Sequence, residues 1–267
     1  MSESTSILDI SGRVALVTGA GQGVGRAIAK ALAANNAACV VVNDYFEERA
    51  QAVAEDINAA GGKAIACGGD VSDLESVQDM VAKVTKDTGP INILINNAGN
   101  AGPTGFPSEL PSFWETDPSQ WDMFFSVNLF GVMNCCHAMV PGMLESGYGR
   151  IVTIISDAGR EGEPRLAAYC AAKAGAAGFI RALAKELGRY QITANCVSIS
   201  SINNPQLAAQ AEAFGADMMK KRLSGYTIRR FGEPEEIAGL VSFLSSPSAS
   251  WITGQTYPVN GGYSTTK

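Results

Sequence analysis

Histidine is almost absent from this chain, with His137 the sole example in 267 residues, and the six cysteines contain no C-x-x-C pair. A zinc site has little to be built from, and no metal is expected. Cys39, Cys67, Cys135, Cys136, Cys170 and Cys196 sit inside apolar segments, where free thiols behave as small hydrophobes. His137 reads as a helix packing or surface residue. Positive charge is also short: 20 Lys and Arg stand against 26 Asp and Glu, a net charge of −6. No basic stripe is available to neutralise phosphates, which excludes nucleic acid as an expected partner. Runs of like charge, low-complexity linkers and repeats of solenoid length are missing too. The most apolar stretch near the middle, Val127 to Val140, is broken by Asn128, Asn134 and His137, each expensive in lipid, so no transmembrane segment and no membrane partner are expected. The opening MSESTSILDISGRVALVTG has no basic n-region followed by an apolar h-region, and a cytoplasmic protein is the expectation.

What is present is an alternation. With 46% hydrophobic and 17% charged residues, the chain can bury one large core, and a single domain over residues 1–267 suffices. Short β-rich runs alternate with helical patterns: Arg13 to Val17, Ala38 to Asn43, Lys63 to Cys67, Ile91 to Asn96, Arg150 to Ser156, Ile192 to Val197 and Gln255 to Val259. Between them Val24, Ile28 and Leu32 recur at helical spacing, and Ser72 with Glu75 has the pattern of a capping box opening the third helix. Strands joined by helical crossovers predict an α/β, Rossmann-like, doubly wound parallel sheet of about seven strands with helices on both faces. Ligands of such sheets bind beyond the carboxyl ends of the strands. Two segments fit the alternation poorly: Asn100 to Gln120, and 198–226, which has a helical patch but no strand and reads as a substrate lid.

The first strand is followed by Thr18-Gly19-Ala20-Gly21-Gln22-Gly23-Val24-Gly25, running straight into a helix. Glycines there let backbone N–H groups and the helix N-terminus approach a pyrophosphate without interference from Cβ atoms. The spacing is G-x-x-x-G-x-G, with Val24 where the generic dinucleotide fingerprint has its third glycine. Asp44 closes the second strand at the distance where an acidic residue bonds the adenosine ribose and repels a 2′-phosphate. Gln22, Tyr45 and Phe46 offer that phosphate no cation, so NAD is favoured over NADP. Asp44 can also cap the helix beginning near Glu47, and the two roles are compatible.

Taken in order, Thr18 to Gly25, Asn96-Asn97-Ala98-Gly99 and Tyr169-x-x-x-Lys173 resemble the marks of the short-chain dehydrogenase/reductase family, from about Gly12 to Gly262. The resemblance implies a catalytic tetrad of Asn128, Ser156, Tyr169 and Lys173. It implies cofactor contacts at Gly19, Gln22, Gly23, Val24, Gly25, Asp44, Asp70, Val71, Asn97, Ala98, Gly99, Tyr169, Lys173, Ile202 and Asn204, several of which serve equally well as structural supports. It further implies a water held by Asn128 as a proton relay, and a homo-oligomer, usually a tetramer, packed through its long fourth and fifth helices.

The chemistry follows from the residue types. Residues four apart on a helix share a face, so Lys173 can stand beside Tyr169. A phenol titrates near pKa ~10, and a neighbouring ammonium, helped by an oxidised nicotinamide, favours the phenolate and makes it a usable base. Ser156 would bond the substrate oxygen. Two departures stand out: Ile199-Ser200 replaces the family's common Pro-Gly after the sixth strand, with Asn204 for a Thr further on, and Asn260 replaces an Asp before the final Gly-Gly. Phe106, Leu110, Phe113, Trp114, Phe214, Met218 and Met219 form either an apolar substrate wall or packing against the body or a neighbouring subunit. Lys220, Lys221, Arg222, Arg229 and Arg230 are either a coenzyme A phosphate site or a solvated helix end. Three activities compete: an NAD-dependent secondary-alcohol dehydrogenase acting on a cyclic, steroid-like or hydroxyacyl substrate, an NADPH-dependent 3-oxoacyl reductase, and a nucleotide-binding regulatory protein without turnover.

Overall fold

Short runs of Val, Ile and Leu that are apolar on both faces must be covered on both sides, and a parallel sheet between helical layers does this. A computed structural model describes residues 6–102, 110–204, 207, 215 and 217–265. Among these, seven strands form one sheet: β1 (Val14–Val17), β2 (Cys39–Asp44), β3 (Ala64–Gly68), β4 (Ile91–Asn96), β5 (Gly149–Ser156), β6 (Ile192–Ile199) and β7 (Thr256–Val259). Their order is β3-β2-β1-β4-β5-β6-β7, and neighbours run parallel throughout. Every expected strand is present. The largest displacement is at the end of β6, which continues to Ile199 and so into the segment expected to hold no strand.

Among the described residues the helices include α1 (Gly23–Ala34), α2 (Glu47–Ala59), α3 (Leu74–Thr88), α4 (Asp122–Phe125), α5 (Val132–Ser146), α6 (Ala158–Glu161), α7 (Ala167–Leu187) and α8 (Pro234–Ser245), with a π-helical turn, Ser126–Gly131, joining α4 to α5. Ile28 and Leu32 of α1, Val53 and Ile57 of α2, and Ile237 and Val241 of α8 pack with Val40, Val42, Ile93 and Ile95 on one face of the sheet. Met80 and Val84 of α3, Met139 and Met143 of α5, and Ile180 and Ala184 of α7 pack with Leu16, Val41, Leu94 and Ile151 on the other. All six thiols are free, five of them buried, and His137 is exposed. Burial drives the Cys136 and Cys196 thiols up to about 12, which keeps them protonated and inert.

One expectation needs correction. The Ser72–Glu75 capping box does not form: Asp73 is the N-cap of α3 and accepts from Glu75 N, while the Ser72 hydroxyl donates to Asp70 Oδ1 at 2.7 Å. Ser72 lies one residue too early, and its hydroxyl is already committed. The helical run Pro118–Ser146 is, by length and a mean hydropathy of 1.4, apolar enough to cross a bilayer despite its polar interruptions. In the fold its Cys135, Cys136, Met139 and Met143 are buried in the core, and Asn134 donates to Val71 O at 3.0 Å.

The sheet order reverses between β1 and β4, and a crevice opens there. Its floor is a tight joint. Asn97 Nδ2 donates to Thr18 O and Gly19 O at 2.9 and 3.0 Å, and Thr18 Oγ1 accepts from the amides of Asn97 and Ala98, both at 3.0 Å. The first turn of α1 is pressed onto this joint, so that a Cβ on Gly25 would lie 2.3 Å from Gly19 O and 2.5 Å from Asn97 Nδ2. Gly25→Ala is therefore expected to lower stability by about 1–3 kcal/mol, seen as an earlier urea midpoint at unchanged slope.

Candidate active site

The crevice is a cavity of about 900 Å3, lined by most of the residues expected to meet a dinucleotide: Gly19, Gln22, Gly23, Val24, Gly25, Asp44, Asp70, Val71, Asn97, Ala98, Gly99 and Asn204. Gly23 has φ +52° and nothing within 4 Å of where its Cβ would project, leaving the backbone at the start of α1 open to a ligand. Size, the bare glycine turn and the helix N-terminus together fit a dinucleotide cofactor. Asp44, the last residue of β2, is 6% exposed. Its Oδ2 accepts from Gly21 N at 3.0 Å and its Oδ1 from Phe46 N at 3.1 Å. The carboxylate thus holds the turn ahead of α2 and borders the cavity, but it does not cap the helix as expected: the N-cap is Phe46, without a side-chain cap, and Asp44 reaches only the amide of Phe46 itself.

Arg26 and Arg49 also line the crevice, and the sequence reading missed both. Arg26 is paired with Asp56 at 2.8 Å. Arg49, in the first turn of α2, lies over the Phe46 ring at 4.3 Å and makes no ion pair among the described residues. It looks like an ordinary solvated helix residue in sequence. Its place just beyond Asp44, on a helix whose N-terminus faces the strand ends, is the signal that could have found it.

None of the four tetrad residues is among those lining this crevice; Asn128 and Lys173 lie next to Gly99, which is. Lys173 is 5% exposed and donates to Ile154 O at 3.1 Å. Asn128 is fully buried in the π-helical turn. Its Nδ2 donates to Asn100 O at 2.7 Å and to Phe124 O at 2.9 Å, while its Oδ1 accepts from Asn100 N at 3.1 Å. Serving the carbonyl one turn back is a way for a side chain to sustain a local widening of a helix. Gly99 separates the two: a Cβ there would lie 3.0 Å from Asn128 Oδ1 and 3.3 Å from Lys173 Nζ. Ser156 ends β5, and its Oγ accepts from Ala158 N at 3.2 Å. Tyr169, in the first turn of α7, is half-buried, hydrogen-bonded to Ser156, and meets Phe124 edge-on at 6.2 Å.

Burial raises the Tyr169 phenol above its ordinary value, opposed by the Ser156 hydrogen bond. The same cause lowers Lys173 to about 8, opposed by the nearby Cys196 thiol. The expected lowering of the phenol by Lys173 is thus not the balance in the protein alone, because burial outweighs every opposing contribution.

Beyond β6 the expectations divide. Asn204 borders the crevice, its Nδ2 donating to Ile202 O at 3.1 Å and its Oδ1 accepting from Leu207 N at 2.8 Å. Ile202 does not border it; the side chain is buried in the core beside Gly232, in a bridge between the two residues. Asn260 gains a reason. Its Nδ2 donates to Asp157 Oδ2 at 2.5 Å, and Asp157 Oδ1 accepts from Ser198 Oγ at 2.6 Å and Arg160 Nη1 at 3.1 Å. An Asp at 260 would oppose that buried carboxylate, so an amide stands there.

A smaller cavity of about 90 Å3 lies beyond Phe124, lined by Leu110, Phe113, Trp121, Met123 and Arg165 among others. Phe113 stacks on Trp121 at 5.2 Å, and Arg165, with φ +70°, donates from Nη1 to Leu110 O. Trp114 is 83% exposed and no part of that wall. Met218 is exposed and Met219 half-buried, while Phe106 and Phe214 lie outside the described residues. Of the basic cluster, Arg230 is engaged by Glu236 at 2.7 and 2.8 Å, which pulls that carboxyl down to about 2, and Arg222 donates to Ser201 Oγ at 2.9 Å.

A family model described as enoyl-(acyl carrier protein) reductase matches residues 19–264. Nodulation protein G of Azospirillum brasilense is 38% identical over 255 residues, covering 95% of this chain and 98% of that protein. The 3-oxoacyl-(acyl-carrier-protein) reductase FabG of Staphylococcus epidermidis is 35% identical over 248 residues, 93% of this chain and 97% of its own. A solved gluconate 5-dehydrogenase from Burkholderia cenocepacia, in complex with NADP and tartrate, superposes with a TM-score of 0.88 at 28% identity, covering 98% of both chains.

Lys173 sets a pH dependence. Its pKa is about 8 when folded and 10.5 ordinarily, so between these values the unfolded chain binds more protons and stability rises with pH. The penalty of burying the ammonium is complete below pH 8 and fades toward pH 10.5. Lys173→Met should therefore gain most on wild type near pH 7, with the gain shrinking across that window in urea titrations; a difference that is flat with pH would contradict the assignment.

Proposed function

Because the chain belongs to the short-chain dehydrogenase/reductase family of oxidoreductases, which bind a nicotinamide cofactor and act on small molecules, we propose that it interconverts a secondary alcohol and its ketone with NAD(H). The observation that carries the cofactor choice is Asp44, a carboxylate bordering the adenosine end of the crevice and held there by two backbone amides. Negative charge at that point opposes a 2′-phosphate and suits free ribose hydroxyls. A second reading, a 3-oxoacyl reductase using NADPH, is supported by Arg49 and Arg26 in the same crevice, by the NADP in the gluconate 5-dehydrogenase structure and by the likeness to FabG.

In this reading the glycine turn 19–25 receives the pyrophosphate, Asp70 and Val71 the adenine, and Asn97, Ala98 and Gly99 support the adenosine side. Asn204, which borders the crevice, serves the nicotinamide side. When bound, the cofactor supplies the hydride acceptor or donor. Tyr169 takes the hydroxyl proton in oxidation and returns it in reduction, and Ser156 holds the substrate oxygen. Lys173 binds ribose hydroxyls and stabilises the phenolate. Asn128 passes protons between Lys173 and solvent through a water, a role supported by its Oδ1 and the ammonium both facing Gly99.

At about 90 Å3 the cavity beside Phe124 takes only part of a substrate, and its apolar lining supports a cyclic, steroid-like or hydroxyacyl one over a free sugar. Half-exposed Phe130 and Met133 on the α4–α5 run support a homo-oligomer, a tetramer, closed through that helix. Six free thiols accord with a reducing, cytoplasmic setting.

Titration with NADH and NADPH, followed by nicotinamide fluorescence, should show NADH bound at least about tenfold more tightly, a ~1.4 kcal/mol difference, and Asp44→Ala should narrow the gap. Preference for NADPH would put the 3-oxoacyl reductase first. Tyr169→Phe should cut kcat by about 10²–10⁴ while leaving NADH binding unchanged. A protein that only binds nucleotide would show no turnover for that change to reduce.

A further inference from the structure

The loop leaving β6 lacks the Pro-Gly pair that presets a turn in the resembling family, yet it follows a defined path. None of the residues from Ile199 to Asn204 adopts a left-handed φ. Hydrogen bonds set the path instead. Ser201 N lies 3.2 Å from the Tyr226 hydroxyl, and because an amide only donates, the phenol oxygen accepts there. Its own proton is left for Ser200 Oγ, 2.7 Å away. Tyr226 is 4% exposed, with its ring against Tyr263 at 5.1 Å and Phe231 at 6.3 Å, so the phenol has little freedom to leave.

Tyr226 also closes the other end of the segment. It follows the helical backbone at 217–223, and its N–H donates to Leu223 O at 3.1 Å. One hydroxyl therefore ties the first residues after β6 to the last residue of the 198–226 segment, at a sequence separation of 26. Tyr226 does not border the large crevice; Asn204, further along the same loop, does.

We infer that Tyr226, through Ser200 and Ser201, is the positioning residue for the loop that receives the nicotinamide end of the cofactor, replacing by a hydrogen-bonded clamp what Pro-Gly does by backbone restriction. The inference rests on the reading of the crevice as a nicotinamide-dinucleotide site. Removing the hydroxyl leaves two polar groups of the loop without their partner, and the loop loses its fixed path. The glycine turn and Asp44 share no hydrogen bond with Tyr226 among those described.

Calorimetric titration of wild type and Tyr226→Phe with NADH and with ADP-ribose, which lacks the nicotinamide, separates the two ends. NADH affinity should fall about tenfold in the variant while ADP-ribose affinity changes less than about twofold. Ser200→Ala, which removes one partner and leaves the aromatic packing intact, should weaken NADH alone by a smaller factor, and serves if Tyr226→Phe does not fold. Equal losses for both ligands would make the clamp a general stabiliser and overturn the inference, as would no loss for either. Wild type that fails to bind NADH overturns the cofactor reading itself, an outcome distinct from wild type that binds and variants that bind equally well.

Discussion

The carboxamide of Asn97 fastens together the two strand ends between which the sheet reverses its order, and most of the site is laid out from that joint. By donating to Thr18 O and Gly19 O it fixes the exit of β1 relative to that of β4. Because α1 then sits within contact of the same amide, Gly25 has no room for a side chain and the glycine turn is drawn close to the helix axis. Parallel strands leave unpaired groups at their carboxyl ends, and where neighbouring crossovers depart to opposite faces nothing covers them. The crevice is a consequence of topology, and the Asn97 joint decides its shape.

Lys173 and Asn128 are held on a different principle, the burial of polar groups whose needs are met by backbone. Lys173 has Ile154 O, and Asn128 has both backbone groups of Asn100 together with Phe124 O. Satisfied in this way, they hold position without the rotamer freedom of exposed side chains, which is what an acid/base site requires. The cost falls on charge: burial lowers the lysine's pKa and raises the tyrosine's. A positively charged ring arriving beside them would shift the phenol back toward ionisation, so the protein alone is set for a partner it does not itself supply.

Much of this was legible in the sequence because it is periodic or local. The seven strands announce themselves as short β-branched runs, the glycine turn as a spacing, and the Tyr169–Lys173 pair as one turn of helix. What could not be read depends on partners distant in the chain. Tyr226 has no local pattern that points to Ser200, and Asn260 is intelligible only once Asp157 is seen beside it, 103 positions away. Arg49 was overlooked because a solvated helix residue and a crevice residue look alike until the helix is placed. Ser72 misled for the opposite reason: its spacing to Glu75 was right, but two candidate caps stood side by side and the preceding Asp70 took one of them.

The central claim is that the crevice over β1 and β4 and the group of Ser156, Tyr169 and Lys173 form one continuous cofactor site. A crystal structure of the protein with NAD tests it most directly. The account predicts the adenosine ribose beside Asp44, the pyrophosphate over the glycine turn and the nicotinamide ribose within hydrogen-bond reach of Tyr169 and Lys173. A nucleotide bound elsewhere, or lying in the crevice with its nicotinamide turned away from Tyr169, would contradict it.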